Sequence, residues 1–202
     1  MGRSHSPEEI VRAYHDAREL GFDSINMDVI AGLPGENLED VRHTLEEIKR
    51  LDPDNLTVHT LAIKRSSKLK GMLDEYSLPD ADEAEAMVNA GMQAAEDMGM
   101  KPYYMYRQKY MRGNLENVGY AKPGTECMYN IDMMEETVSI MAHGAGAMTK
   151  RIFDGECRVE RIPNPKDIAT YIAKVDAVAS NDSNYYKNAF CYKFASWWIN
   201  FD

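Results

Sequence analysis

An acid stands inside a strand-like apolar run. Ser24–Ile30 reads SINMDVI, with Ile25, Met27, Val29 and Ile30 around Asp28, and the tight turn Gly32-Leu33-Pro34-Gly35 follows. A short run rich in β-branched residues and bounded by turn residues fits a strand covered on both faces. A carboxylate in such a strand is costly unless it is paired or close to a ligand. Two chemistries would satisfy Asp28: pairing with a basic neighbour, or accepting hydrogen bonds from the hydroxyls of a bound molecule. A second stretch, His143-Gly144-Ala145-Gly146-Ala147-Met148, would let backbone approach a flat ligand closely, or would simply form a crowded turn. Metal chemistry has less to work with. Cys127, Cys157 and Cys191 are widely spaced, and the five histidines form no HxxxH pair.

The elements that would position these residues are legible. Ser6-Pro7-Glu8-Glu9 opens a helix as a capping box with proline at N1; Ile10, Val11, Tyr14, Ala17 and Leu20 give it one apolar face, and Gly21 stops it. Behind the Asp28 strand, Asn37 caps a second helix in which Leu38, Val41, Leu45, Ile48 and Leu51 recur at spacings of three and four. Asp52-Pro53-Asp54 ends it, and Leu56–Ile63 reads as the next strand. The order α-β-α-β with short loops predicts parallel strands and the grammar of a TIM-like barrel. A third strand is expected at Pro102–Tyr106. Two or three strands cannot close a barrel, so the chain reads as the C-terminal part of a larger protein.

Residues 64–79 read as a loop, and Asp80 or Asp82 caps a long helix lined by Ala84, Met87, Val88, Gly91, Ala95 and Met98. Of the 14 methionines, most fall between Met87 and Met148; they would fill gaps in a core, or offer an adaptable surface to a large apolar ligand. Arg107–Tyr129 is irregular, a long loop of the functional or mobile kind. Met148–Phe153 and Glu156–Ile162, joined by Asp154-Gly155, form a hairpin, and Asn164-Pro165 caps a last helix to about Val175. The tail Ala177–Asp202 holds both tryptophans and is left unassigned.

Composition narrows the classes. A net charge of −10 argues against a broad nucleic-acid-binding face. No apolar run is long enough to span a bilayer, and MGRSHSPEE lacks the apolar core of a signal peptide. A cytoplasmic location is the expectation.

Two stretches carry a resemblance. Asn26–Glu36, NMDVIAGLPGE, resembles the strand-and-loop signature of the radical S-adenosylmethionine (SAM) enzymes related to oxygen-independent coproporphyrinogen III oxidase. Lys109–Asn130, KYMRGNLENVGYAKPGTECMYN, is similar to a segment of that family's coproporphyrinogen dehydrogenase branch. The resemblance covers residues 1 to about 176, and implies an α/β fold: the C-terminal portion of a partial TIM-like radical SAM barrel plus a small α+β C-terminal module. The domains expected are 1–106, the last βα units of the barrel; 107–176, the module with the hairpin and helix; and 177–202, the unassigned aromatic-rich tail.

The implied activity is oxidative decarboxylation of porphyrinogen propionates to vinyls in haem biosynthesis, an oxidoreductase reaction. The implied cofactors are SAM and a 4Fe-4S cluster. By resemblance Arg3 pairs with the SAM carboxylate, Asp28 takes the ribose hydroxyls, Ile30 and Ala62 line the adenine, and Met148 adds a contact beside it. His59 stands where relatives have an aromatic residue, or is a satisfied strand histidine. No catalytic residue and no metal ligand is assigned. The family's CxxxCxxC cluster motif is absent from this sequence, so the ligands are expected outside the chain and the chain alone is expected to be inactive. Implied partners are a porphyrinogen or haem-like molecule, which Tyr103, Tyr104 and Tyr106 could serve, together with the missing N-terminal half of the barrel and an electron donor. The alternatives are a haem chaperone on the same scaffold that does not decarboxylate, and a structural subunit that never meets SAM.

Overall fold

A computed structural model describes residues 5–63, 77–106, 115–153 and 158–185, the last stretch as helix backbone alone beyond residue 176. Its contacts divide the chain into two compact units after Cys127.

The first unit starts with α1 (Pro7–Glu19), closed by the reciprocal Ser6–Glu9 capping box. Ile10 and Tyr14 are its buried residues. Leu20, expected on that face, is the C-cap and lies 79% exposed, because the chain leaves the helix there. Arg18 secures the helix: its guanidinium bonds the Tyr14 hydroxyl and, at 2.6 Å, the Asp54 carboxylate, which also accepts from the Ile25 amide. Next come β1 (Asn26–Ala31), α2 (Leu38–Leu51) and β2 (Asn55–Thr60). Asn37 and Asp40 cap α2 reciprocally. Asp52 ends it at φ 53°, a left-handed C-cap position an aspartate tolerates.

The two strands pair in parallel, Asp28 beside Thr57 and Ile30 beside His59, as the α-β-α-β order requires. After α3 (Ala81–Asp97), capped by Asp80, come β3 (Lys101–Tyr106) and β4 (Asn117–Ala121). The sheet has four strands in the order β1-β2-β4-β3. Here the structure differs from the sequence reading. Strand β4 lies in what reads as the irregular segment 107–129, yet it inserts antiparallel between β2 and β3. The third expected strand is therefore not a direct neighbour of the second, and the expected boundary after 106 separates two hydrogen-bonded strands. A glycine within a short apolar run hides β4: VGYA gives little alternation, and its pairing is non-local.

The period of two divides the sheet's faces. Met27, Val29 and Ala31, with Leu56, Val58 and Tyr120, pack against Val41, Leu45 and Ile48 of α2 and Met87, Ala94 and Ala95 of α3. Asn26, Asp28, Ile30, Asn55, Thr57 and His59 alternate with these strand residues and form the other face. One face makes the core; the other is polar.

The second unit holds α4 (Met128–Glu135), a helix not expected from the sequence, then the antiparallel hairpin β5 (Met148–Ile152) with β6 (Val159–Pro163), and α5 (Ile168–Tyr185). The expected Asp154-Gly155 turn lies outside the described residues. Asp167, not Asn164, caps α5 by accepting from the Thr170 amide, and the helix continues past Val175 to Tyr185. Lys150 is buried, donating to the Met133 carbonyl and pairing with Glu136, whose carboxyl its hydrogen bond holds below the usual range.

The methionines divide between core and surface. Met27, Met87 and Met100 are core residues, whereas Met92, Met105, Met128, Met134 and Met148 are exposed. Among the described residues no helix is long and apolar enough to cross a membrane.

Helix α3 approaches β2 through Gly91, where an added Cβ would come 2.8 Å from Val58 Cγ2. Valine has little rotameric freedom to yield, and Val58 is itself buried. Gly91→Ala should therefore destabilise the chain by about 1–3 kcal/mol in urea unfolding, although alanine is the better helix former by about 1 kcal/mol. Val58→Ala in the same chain should remove most of the clash. A more stable Gly91→Ala chain would contradict this packing.

Candidate active site

The polar sheet face gathers Asn26, Asp28, Thr57, His59 and Tyr106 into one hydrogen-bonded system, with Tyr104 stacked on Tyr106. Asp28, only 6% exposed, accepts from Asn26 Nδ2 at 3.0 Å and pairs with His59 Nε2 at 3.1 Å. Both contacts end on Oδ1. On one side the system continues through Asn26 Oδ1, which accepts from Thr57 Oγ1 at 3.0 Å. Tyr104 stands beside this arm, stacked on Tyr106. On the other side His59 Nδ1 lies 3.1 Å from the Tyr106 hydroxyl. Strand alternation explains the grouping: Asn26 and Asp28, Thr57 and His59, and Tyr104 and Tyr106 are each i, i+2 pairs, and each pair shares a face.

Tyr104 and Tyr106 are nearly parallel, with ring centroids 6.3 Å apart at 9°. Tyr104 owes its place to Gly119 on β4, where a Cβ would sit 1.8 Å from Tyr104 Cε1. The tyrosine ring occupies the volume that any other residue at 119 would need. Burial raises the Tyr104 phenol above its usual range; the Thr57 hydrogen bond works against this, and nearby Tyr103, Asp28 and Tyr106 add to the rise.

Of the residues expected to bind a cofactor, the structure brings Asp28 and Ile30 onto one face of β1. Ile30, half-buried, pairs in register with His59. Ala62 follows just beyond the end of β2 and is half-buried. Met148 opens β5 in the second unit and is 48% exposed. Arg3 lies outside the described residues. His59 is a satisfied strand histidine, and it is also a basic neighbour with which Asp28 pairs. Asn26, Thr57, Gly119 and the pairing of both tyrosines with this face are not singled out by the sequence reading. The alternation within NMD and within TVH would have disclosed the first two; the tyrosines reach the face only through the insertion of β4.

A small cavity lies at the C-terminal ends of β1 and β2, lined by Ala31, Gly32, Thr60, Leu61, Leu78 and Ala84, and it does not include Asp28. Thr60 Oγ1, buried beside it, has no hydrogen-bond partner. In the second unit the His143–Met148 loop is braced rather than open. Asn164 Nδ2 donates to the carbonyls of Ala142 and Gly144, and the Gly144 amide donates to the Tyr171 hydroxyl. Among the described residues no group of three His, Cys, Asp or Glu side chains could hold a metal ion. Cys127 is half-buried; Cys157 and Cys191 lie outside the described residues.

The sequence was compared with known proteins. The Radical SAM superfamily model matches residues 1–48. Over 190 residues the chain is 40% identical to the oxygen-independent coproporphyrinogen-III oxidase-like protein HemZ of Bacillus subtilis, covering 94% of this chain and 38% of that protein. It is 32% identical to the heme chaperone HemW of Escherichia coli over 132 residues, 65% of this chain and 31% of the relative. The fold matches that of Escherichia coli coproporphyrinogen III oxidase (HemN), described as a radical SAM enzyme, with a TM-score of 0.59 and 21% identity, over 87% of this chain and 39% of the other. The chain thus spans well under half the length of these relatives.

The half-buried Tyr104 phenol gives the sheet a pH signature. A folded pKa raised above the unfolded one means that the neutral form's contribution is complete below the ordinary phenol pKa and is lost as pH climbs beyond about 10. Tyr120 is raised by burial in the same direction. The urea midpoint should fall above about pH 10, more steeply in the native chain than in Tyr104→Phe, with Tyr120 leaving a residual slope. Equal slopes would show that Tyr104 is not buried as a neutral phenol.

Proposed function

Because this chain belongs with the radical SAM proteins related to oxygen-independent coproporphyrinogen III oxidase, we propose that it supplies SAM-binding strands to an enzyme that oxidatively decarboxylates porphyrinogen propionates. The observation that carries the reading is Asp28: a buried carboxylate on the polar face of a parallel βα unit, with both of its protein contacts on one oxygen. An ionised carboxylate is an acceptor alone, which suits a pair of ribose hydroxyls.

The rest of the proposed cofactor set follows the same reading. Ile30 and Ala62 provide apolar contact to the adenine, and Arg3 grips the cofactor's carboxylate, a task suited to a bidentate guanidinium. When bound, SAM supplies the radical hydrogen abstraction that a propionate side chain needs before it loses carbon dioxide. The chain's own residues orient the nucleoside and exclude water from it. The donor set on β1 and β2 fits a nucleoside. It does not fit an iron–sulfur cluster, which takes closely spaced thiolates, so we assign the cluster ligands to sequence outside these 202 residues and expect no activity from the chain by itself. Similarity to a heme chaperone supports the second reading, in which the same scaffold handles haem without decarboxylation.

The test uses the protein as its gene encodes it, reconstituted anaerobically with iron and sulfide. Incubation with coproporphyrinogen III, SAM and a reductant should yield vinyl products; stable haem transfer without them would favour the chaperone. Asp28→Ala should weaken SAM binding in calorimetry by about 1–3 kcal/mol with the fold retained, because it removes a charged acceptor. Unaltered affinity would remove Asp28 from the site.

A further inference from the structure

A carboxylate that binds a ligand through one oxygen must be prevented from turning. Among the described residues, Asp28 is held on Oδ1 alone, by Asn26 at 3.0 Å and His59 at 3.1 Å. His59 is held in turn: its second ring nitrogen lies 3.1 Å from the Tyr106 hydroxyl, and the two rings meet edge to face. A neutral imidazole with its proton on Nε2 satisfies both contacts, donating to Asp28 and accepting from Tyr106. Tyr106 is supported by Tyr104, which stacks parallel to it, and Tyr104 fills the space above Gly119 that a Cβ would occupy. The chain of support runs Gly119, Tyr104, Tyr106, His59, Asp28, and each side chain in it has a contact that limits its rotation.

We infer that His59 is a positioning residue. Tethered by Tyr106, it fixes Asp28 through Oδ1 so that Oδ2 is presented to the vicinal hydroxyls of a nucleoside. The inference rests on the proposed role of Asp28 and adds a specificity element to it. His59 acts through the carboxylate and not by stacking on the ligand, since both its ring nitrogens are engaged within the sheet face. A phenylalanine at 59 would keep the ring and lose the donor. A glutamine would keep a donor of similar reach.

The experiment measures binding of SAM, and of the SAM analogue lacking the ribose hydroxyls, to the gene-encoded protein reconstituted anaerobically. His59→Phe should bind SAM about 10-fold more weakly, the scale of a lost hydrogen bond to a charged group. Its preference for SAM over the analogue should fall by a similar factor. His59→Gln should stay within about 3-fold of the native protein, and Tyr106→Phe should lose about 3-fold, as for one neutral hydrogen bond. In an Asp28→Ala background His59→Phe should have no further effect. If Asp28→Ala weakens binding while His59→Phe and Tyr106→Phe leave it unchanged, the inference is overturned and the role of Asp28 stands. If Asp28→Ala binds SAM normally, the role of Asp28 fails and the inference with it. Equal weakening toward SAM and the analogue would mean that His59 touches the ligand directly, which also overturns it. Should His59→Phe fail to fold, Tyr106→Phe, which removes a single hydroxyl, decides between the same outcomes.

Discussion

A carboxylate buried on one face of the sheet sets the terms for the residues around it. Leaving an ionised group in the interior without partners costs several kcal/mol, so Asp28 needs donors, and the donors need to be oriented. Asn26 and His59 meet the first need. Thr57, Tyr104 and Tyr106 meet the second, and Gly119 leaves the room that Tyr104 requires. All four strands of the sheet thus contribute to the environment of one side chain. A change in any of them should be felt at Asp28 before it is felt in the core, because polar networks in low dielectric are coupled.

The opposite face follows a different physics. Met27, Val29, Leu56 and Val58 are packed by α2 and α3 into a core of largely apolar side chains, with the Tyr120 ring among them. That core makes the sheet a rigid platform. A site built on strands with such backing is held more closely than one on loops. The second unit has its own local order, in which Asn164 and Tyr171 brace the glycine loop before β5.

Much of this was legible in the sequence wherever local signals decide structure. The Ser6 and Asn37 capping boxes, the three- and four-residue spacing of α2 and the parallel βα unit around Asp28 are all local, and all are found. The tension between a buried acid and its need for a partner was also visible in SINMDVI. Non-local pairing was not. The insertion of β4 between β2 and β3 depends on residues far apart in the chain, and it is the step that brings Tyr104 over Gly119 and Tyr106 to His59. Helix α4, with no strong apolar periodicity in MYNIDMME, left no pattern to read. The Asn164 cap was misplaced because Asn and Asp serve turns and caps alike; in the structure Asn164 braces a loop, and Asp167 caps the helix.

Kinship with radical SAM proteins supports the role proposed for Asp28, since a carboxylate oriented on a strand suits the two hydroxyls of a nucleoside. The partners that hold Asp28 in the protein and the ligand proposed for it need not compete, because a carboxylate has two oxygens and the contacts among the described residues use one. The most direct measurement is an anaerobic crystal structure of the gene-encoded protein with SAM bound. Asp28 Oδ2 should lie within about 2.5–3.0 Å of a ribose hydroxyl while Oδ1 keeps its contacts to Asn26 and His59. A ribose bound elsewhere, with Asp28 paired only to His59, would show that the carboxylate is a structural element of the sheet and not part of the cofactor site.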